Sequence, residues 1–356
     1  MSNLLDSTAA VRKGEELDLA RLEPYLRSEL KLPDGDFVVE QFPGGHSNLT
    51  YLVKIGDREM VLRRPPFGSK VKSAHDMSRE YRVLSALSPV YSPAPMPLLF
   101  CDDQSIMGAN FYAMERVYGS VLRKAAPDGF EATPEQVRAT GVNMAKNLAA
   151  LHSVDWKSIG LDSLQKKEGS FMRRQVEGWA RRYDGSQTHD MPEVESVLKW
   201  CLDNIPDDVG AVIVHNDYKF DNMIMDPEDF TKIVGVLDWE MSTIGDPLFD
   251  LGGALSYWSN PDEPQQVSTT TCFILSMPGS ITRDEFAKIY GEETGRDVSN
   301  MNYYFVFAII KLAVVLQQIY YRYHHGMTTD ERFAGMNEAV KLLAMRAGIF
   351  VEQGGI

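Results

Sequence analysis

The chain has 356 residues, enough for two lobes around one cleft. Hydrophobic residues make up 44% and charged residues 24%, the balance of a globular protein. The 36 basic against 50 acidic residues give a net charge of −14, which argues against a general nucleic-acid or anionic-membrane surface. Cys101, Cys201 and Cys272 lie far apart, make no metal-ligand spacing and read as reduced thiols. The first residues carry neither a basic stretch nor a long apolar core, so a cytoplasmic setting is expected.

In chain order, an apolar stripe through Leu22, Leu26 and Leu30 predicts a helix over 16–30. Strands are expected at 37–39, 50–55 and 60–63, then a helix over 74–87 through Met77, Tyr81, Leu84 and Leu87. Two more strands follow at 98–101 and 111–114, joined by a turn. After Val117 the pattern turns helical. Thr133-Pro134-Glu135-Gln136 is a capping box with Pro at the first helical position. Further helices are expected at 172–183, 194–202, 247–257, 283–294, 303–323 and 332–351. The apolar run 303–316 is interrupted by Lys311, is too short for a membrane span and reads as a buried helix. Strands first and helices later point to an α+β fold, with a small sheet lobe at 1–117 and a larger, mainly helical lobe at 118–356.

The most informative stretch is His215-Asn216-Asp217-Tyr218-Lys219-Phe220-Asp221-Asn222, with Asp238-Trp239-Glu240 sixteen residues further on. The spacing H-x-D-x-x-x-x-N is that of a kinase catalytic loop, followed by a metal-binding Asp. Phosphoryl transfer needs a carboxylate to orient a hydroxyl and oxygen ligands to hold Mg²⁺ on the phosphates of ATP. Asp217 fits the first need, with Lys219 beside it, and Asn222 and Asp238 fit the second. A short octet of this kind arises readily by chance in an acidic chain. Its context strengthens it, because 211–214 reads as a strand feeding the loop and 223–225 with 232–237 as a hairpin. That hairpin would bring Asn222 back beside Asp238. Glu240 reads as a nearby polar residue, and Asp246 and Asp250 as structural.

The nucleotide half is less distinctive. Gly44-Gly45-His46-Ser47-Asn48 sits between the first two strands, where Gly45, Ser47 and Asn48 would approach phosphate oxygens. Arg63 ends the third strand, where protein kinases carry a lysine, and Arg64 competes for the role. Glu80 on the next helix would pair with Arg63. Glu115 and Val117 lie where a hinge would hold adenine through its backbone.

With these residues in hand, the chain resembles the aminoglycoside phosphotransferase-like branch of the protein-kinase-like fold. It is most similar to the kinase domain of the acyl-CoA dehydrogenase 10/11 type. The resemblance runs over nearly the whole chain. It implies a bilobal fold, ATP and Mg²⁺ as cofactors, and transfer of phosphate to the hydroxyl of a small molecule. For the acceptor it points to a CoA thioester, a hydroxyacyl-CoA. Arg173, Arg174 and Arg181, with Arg182, put four arginines within ten residues, which would hold a phosphate-bearing acceptor and repel a cationic aminoglycoside. An aminoglycoside or other small-metabolite kinase, and a nucleotide-binding pseudokinase, are the alternatives. No nucleic-acid or membrane partner is expected, and an oligomer stays open.

Overall fold

Alternation of apolar side chains builds the first lobe. The computed structural model of the protein describes residues 6–32, 34–43, 48–67, 76–126, 129–165, 169–260, 263 and 272–356. Within them, β1 (Phe37–Gln41), β2 (Leu49–Ile55), β3 (Arg58–Arg64), β4 (Pro97–Cys101) and β5 (Phe111–Glu115) form an antiparallel sheet in the order β1-β2-β3-β5-β4. Tyr51, Val53 and Ile55 on β2, and Met60 and Leu62 on β3, face one side. There they bury Leu22 and Leu26 of helix α1 (Leu19–Leu30). Val61, Tyr112 and Met114 face the other side, against Val83, Leu84 and Leu87 of helix α2 (Met77–Leu87). Because the side-chain period is two, Arg63 shares the face of Val61 and Arg64 that of Leu62.

Helix α1 starts later than its apolar stripe suggested. Asp18 caps it by accepting from the Arg21 N–H, which fixes the first turn. The expected turn between β4 and β5 contains a short helix, α3 (Gln104–Met107).

The second lobe is mainly helical. It comprises α4 (Pro134–His152), α5 (Phe171–Asp184), α6 (Pro192–Asp203), α7 (Pro247–Ser256), α8 (Arg283–Thr294), α9 (Met301–His324) and α10 (Met336–Gln353). The capping box at Thr133 is formed. Two small ribbons, β6 (Val212–Val214) with β9 (Thr243–Gly245) and β7 (Met223–Met225) with β8 (Ile233–Val236), frame the 215–222 loop. Strand β9 was not expected, since three residues give no readable alternation. Nor does one helix fill 332–351, because a 3-10 turn at Glu331–Phe333 precedes α10.

Helix α9 corrects a length estimate. An 18-residue window of its 24 residues reaches a mean hydropathy of 1.6, so by length and composition it could cross a membrane. Its most apolar window is 67% buried in the protein, however, against α5, α7 and α10. Gly252 permits the closest approach, since a Cβ there would stand 2.7 Å from the Tyr304 carbonyl oxygen.

The junction between the sheet and the helices is equally tight. Ser120 and Met225 exchange backbone hydrogen bonds of 3.0 and 2.8 Å. A Cβ on Gly119 would lie 2.2 Å from the Met225 carbonyl oxygen. Gly119→Ala must therefore push the junction apart. It is expected to cost about 2–3 kcal/mol of unfolding free energy in urea titration and to weaken nucleotide binding. An unchanged urea midpoint would contradict the close packing.

Candidate active site

A single buried carboxylate shapes the 215–222 loop. Asp250, on α7, accepts from the His215 N–H at 2.7 Å and from the Asn216 N–H at 2.8 Å. Its helix is in turn started by Asp246, which caps Leu248 and Phe249 and accepts from the Val209 N–H at 2.7 Å. Burial alone would raise the Asp250 carboxyl. The hydrogen bond and charge of His152, and the His215 donor, hold it below the usual carboxylate range. His215 is buried and bonds at both ring nitrogens, Nδ1 accepting from the Asp217 N–H (3.2 Å) and Nε2 donating to the Leu237 carbonyl (2.9 Å). It is committed to holding two backbones together. Asn216 takes a left-handed conformation, φ 72°, and its side chain donates to the Met241 carbonyl at 2.8 Å.

These contacts set the position of Asp217. Its Oδ2 is 2.9 Å from the Lys219 ammonium and accepts from Asn222 Nδ2 at 2.9 Å. Asn222 also bonds the Asp217 carbonyl at 2.8 Å. Its side-chain donors are thereby turned toward Asp217, and its Oδ1 is left to face elsewhere. The Leu237 N–H donates to the Asn222 carbonyl at 2.8 Å, which brings Asp238 alongside. Asp238 is left-handed, φ 69°. The ring of Tyr257 lies 4.9 Å from the Lys219 ammonium, and burial together with the Asp217 charge raises its phenol far above the ordinary value. Tyr257 was not anticipated, because a tyrosine at a helix end carries no motif.

Arg63 joins the two lobes. It pairs with Glu80 of α2 and, at 3.0 Å, with Asp238. Glu80 also accepts from the Trp239 N–H at 3.1 Å. Burial by itself would depress the Arg63 guanidinium, but Glu80, Tyr112 and Asp238 raise it well above its ordinary value. Asp238 is affected by burial as well, and Arg63, His215 and Lys219 more than offset this to lower its pKa. Arg64 takes no part. It stacks on Phe67, 3.5 Å from the ring centre, on the other face of the sheet. Asn48 meets Glu240, with Nδ2 donating to Oε2 at 2.8 Å. Burial and the neighbouring Asp238 charge push the Glu240 carboxyl up to about 7.

Between the lobes lies a cleft of about 270 Å³. Val61, Met114, Val117, Ile224 and Leu237 give it apolar walls, Glu115 lies at its edge, and Arg63, Asn222 and Asp238 lie at its polar end. The Glu115 N–H is already taken by the Met96 carbonyl at 2.8 Å. Asp6 and Ser7 also line the cleft. The Asp6 N–H donates to the Gly119 carbonyl at 3.1 Å, and its carboxylate lies 3.3 Å from Arg123. Sequence reasoning found nothing at Asp6, because an extended strap has no pattern. Gly45 and Ser47 lie outside the described residues.

The arginines expected to meet an acceptor are spread along α5. Arg173 and Arg181 are exposed and flank Glu177 at 3.5 and 3.8 Å. Arg174 bonds the Gly169 carbonyl at 2.5 Å. Arg182 lies over the Trp179 ring at 4.5 Å. Lys311, read only as an interruption in an apolar run, rests on aromatic rings nearby.

Residues 38–271 match the phosphotransferase enzyme family. Acyl-CoA dehydrogenase family member 10 of Mus musculus is 31% identical over 352 residues, covering 98% of this chain and 32% of that protein. Acyl-CoA dehydrogenase family member 11 of Gallus gallus is 34% identical over 347 residues, covering 95% of this chain and 44% of that protein. The chain thus spans less than half the length of these relatives. Among solved structures, a protein of Ralstonia eutropha JMP134, named among the aminoglycoside phosphotransferases, superposes with a TM-score of 0.80 at 29% identity, covering 95% of this chain and 99% of that one. Choline kinase of Cryptosporidium parvum Iowa II gives a TM-score of 0.64 at 14% identity, covering 95% and 97%. An aminoglycoside phosphotransferase bound to AMP-PNP and hygromycin B gives 0.58 at 15%, covering 92% and 98%. The latter two likenesses concern the fold alone, which is kinase-like, bilobal and α+β.

Two measurements test this geometry. Arg63→Ala should weaken ATP binding by about tenfold or more, through loss of a buried, charge-paired group worth at least 1.4 kcal/mol, whereas Arg64→Ala should change it less. Calorimetry giving the reverse order would place the wrong arginine in the cleft. The second concerns pH. The Glu240 carboxyl is raised from 4.5 to about 7 in the folded state. The stability it contributes is therefore full below the unfolded value and lost as pH rises through about 7. The melting temperature of the nucleotide-free protein should fall between about pH 5 and 7 more steeply than that of Glu240→Gln. Parallel profiles would remove Glu240 from this account.

Proposed function

The chain belongs to the phosphotransferase enzyme family, and within it we propose that this small-molecule kinase uses ATP and Mg²⁺ to phosphorylate the acyl hydroxyl of a hydroxyacyl-CoA. The observation that carries the chemistry is the meeting of Asn222 and Asp238 at the polar end of one cleft, with the Asp217 carboxylate hydrogen-bonded to Asn222 just beyond it. In this reading Asp217 orients the acceptor hydroxyl and takes its proton. The hydroxyl oxygen bonds to the γ-phosphorus, the bond to the bridging oxygen breaks, and ADP leaves. Lys219, 2.9 Å from the Asp217 carboxylate, fixes the base and faces the transferred phosphate. Arg63 holds the nucleotide phosphates from the sheet side. Asn48, with Gly45 and Ser47, would approach the phosphate oxygens, and Glu80 keeps Arg63 aimed. Glu115 and Val117 meet the adenine.

The donors suit Mg²⁺. Asn222 Oδ1 and the Asp238 carboxylate are hard oxygens, and Mg²⁺ commonly takes one or two such side chains together with substrate phosphates and water. When bound, the ion neutralises charge on the phosphate oxygens. The lobes would divide near Val117 and Tyr118, between the last sheet strand and the Ser120 bridge.

The acceptor half rests on other grounds. The relatives over 30% identical are named for acyl-CoA dehydrogenation. Arg173, Arg174 and Arg181 give α5 a basic edge for CoA phosphates. Their surface pairs with Glu177 are weak enough for a phosphate to displace. An aminoglycoside or other small metabolite is the second reading, favoured by the Ralstonia relative.

A coupled assay for ADP release decides between them, with 3- and 4-hydroxyacyl-CoAs compared against kanamycin, choline, homoserine and simple sugars. Turnover on the hydroxyacyl-CoAs is expected, and turnover confined to kanamycin would overturn the acceptor. On the productive acceptor, Asp217→Asn should lower kcat by about 10²–10⁴-fold while Mg-ATP affinity stays within about twofold. A variant keeping most of its kcat would sink the base assignment.

A further inference from the structure

Helix α9 is buried without a break from Tyr303 to Ile310, and the next residue is a lysine. The Lys311 ammonium lies 4.7 Å from the centre of the Phe249 ring and 5.8 Å from that of Trp179. Those rings belong to α7 and α5, so three helices converge on this amino group. Lys311 keeps only part of its surface exposed. Among the described residues it has neither an ion-pair partner nor a hydrogen-bond acceptor, only the two ring faces.

An ammonium carries three donors and no acceptor. Withdrawing it from water without a partner costs several kcal/mol. A ring face returns about 0.5–2 kcal/mol and leaves the N–H groups without oxygen partners. Burial accordingly lowers the Lys311 pKa, and the Asp250 and Asp217 charges act against that. Phe249 directly precedes Asp250, whose carboxylate holds the His215 and Asn216 N–H groups, so the amino group stands beside the helix that supports the 215–222 loop. Lys311 is absent from the lining of the nucleotide cleft, as are Trp179 and Phe249. The amino group therefore lies outside the nucleotide cleft, on the side of the 215–222 loop that α7 supports. Arg182 adds a second cation over the same Trp179 ring, at 4.5 Å.

We propose that Lys311, seated on Trp179 and Phe249, binds the acceptor by donating to a carbonyl oxygen a few bonds from the hydroxyl that is phosphorylated. Trp179, which keeps part of its surface exposed, lies along the carbon chain between the two groups. This rests on the reading of the chain as a hydroxyacyl kinase and deepens it, since the oxygen would be that of the thioester or of a free hydroxy acid. The same charge selects against alcohols that carry an ammonium group, in line with the position of Lys311 next to Arg182.

Lys311→Met keeps the length and apolar stem of the side chain and removes the charge. Replacing a partly buried cation with methionine should leave the protein folded, which its melting temperature checks. The full chain with Mg-ATP is assayed on a 4-hydroxyacyl-CoA, the matching free hydroxy acid, the matching neutral diol and an amino alcohol. The variant should raise KM for acceptors with a carbonyl oxygen at least tenfold and change kcat far less. KM for the diol should stay within about twofold, and Lys311→Arg should recover part of the loss. Which of thioester and acid suffers more identifies the source of the oxygen. Equal KM in wild type and Lys311→Met overturns the assignment, as does an equal rise for the diol, or a wild type that prefers the amino alcohol. A wild type that ignores CoA thioesters but uses the hydroxy acid sinks the hydroxyacyl-CoA reading alone. The KM of that acid then decides the role of Lys311.

Discussion

One guanidinium ties the molecule together. Arg63 leaves the third strand of the sheet, pairs with Glu80 on the adjoining helix and reaches Asp238 in the helical lobe. Glu80 extends the same link by accepting from the Trp239 N–H. Strand, helix and the second-lobe segment that bears Asp238 thus share one buried network of charge. Such a network is costly to leave half satisfied, so its members tend to be in place together or not at all. The width of the cleft follows from it, because Asp238 and the sheet cannot separate without breaking a charge pair out of water.

A second constraint acts from beneath. Asp250 sits on a helix started by Asp246 and holds the backbone of the 215–222 loop through two N–H groups. His152 anchors it in turn at 3.2 Å, and Tyr290 anchors His152 at 2.7 Å. Side chains that never approach the cleft therefore decide where Asp217 points. The loop itself needs two unusual conformations, at Asn216 and Asp238, both left-handed. Asn and Asp tolerate that region better than most residues, and here it is stabilised by surrounding hydrogen bonds.

Much of this was legible in the sequence. Alternation gave the strands, and it also decides between Arg63 and Arg64, because adjacent residues on a strand face opposite sides. The spacing from His215 to Asn222, with Asp238 downstream, singled out Asn222 and Asp238, which line the cleft, and Asp217, which bonds Asn222. Partnerships across distance were harder to read. Asn48 and Glu240 are 192 residues apart, and nothing in either neighbourhood predicts the other. Tyr257 and Lys311 act through packing of helix faces, which composition does not reveal. The arginines of α5 stood out as a cluster, yet helical geometry turns two of them toward Glu177. Lys311, a single charge in an apolar run, was the quieter signal.

The strap at Asp6 and Ser7 has a consequence for how the protein is handled. These residues line the nucleotide cleft and are fastened to Gly119 and Arg123. An affinity tag added ahead of this segment would lie close in sequence to the edge of the cleft. Turnover limited by product release would then report on the handle as much as on the enzyme, and a handle at the other end of the chain avoids that confusion.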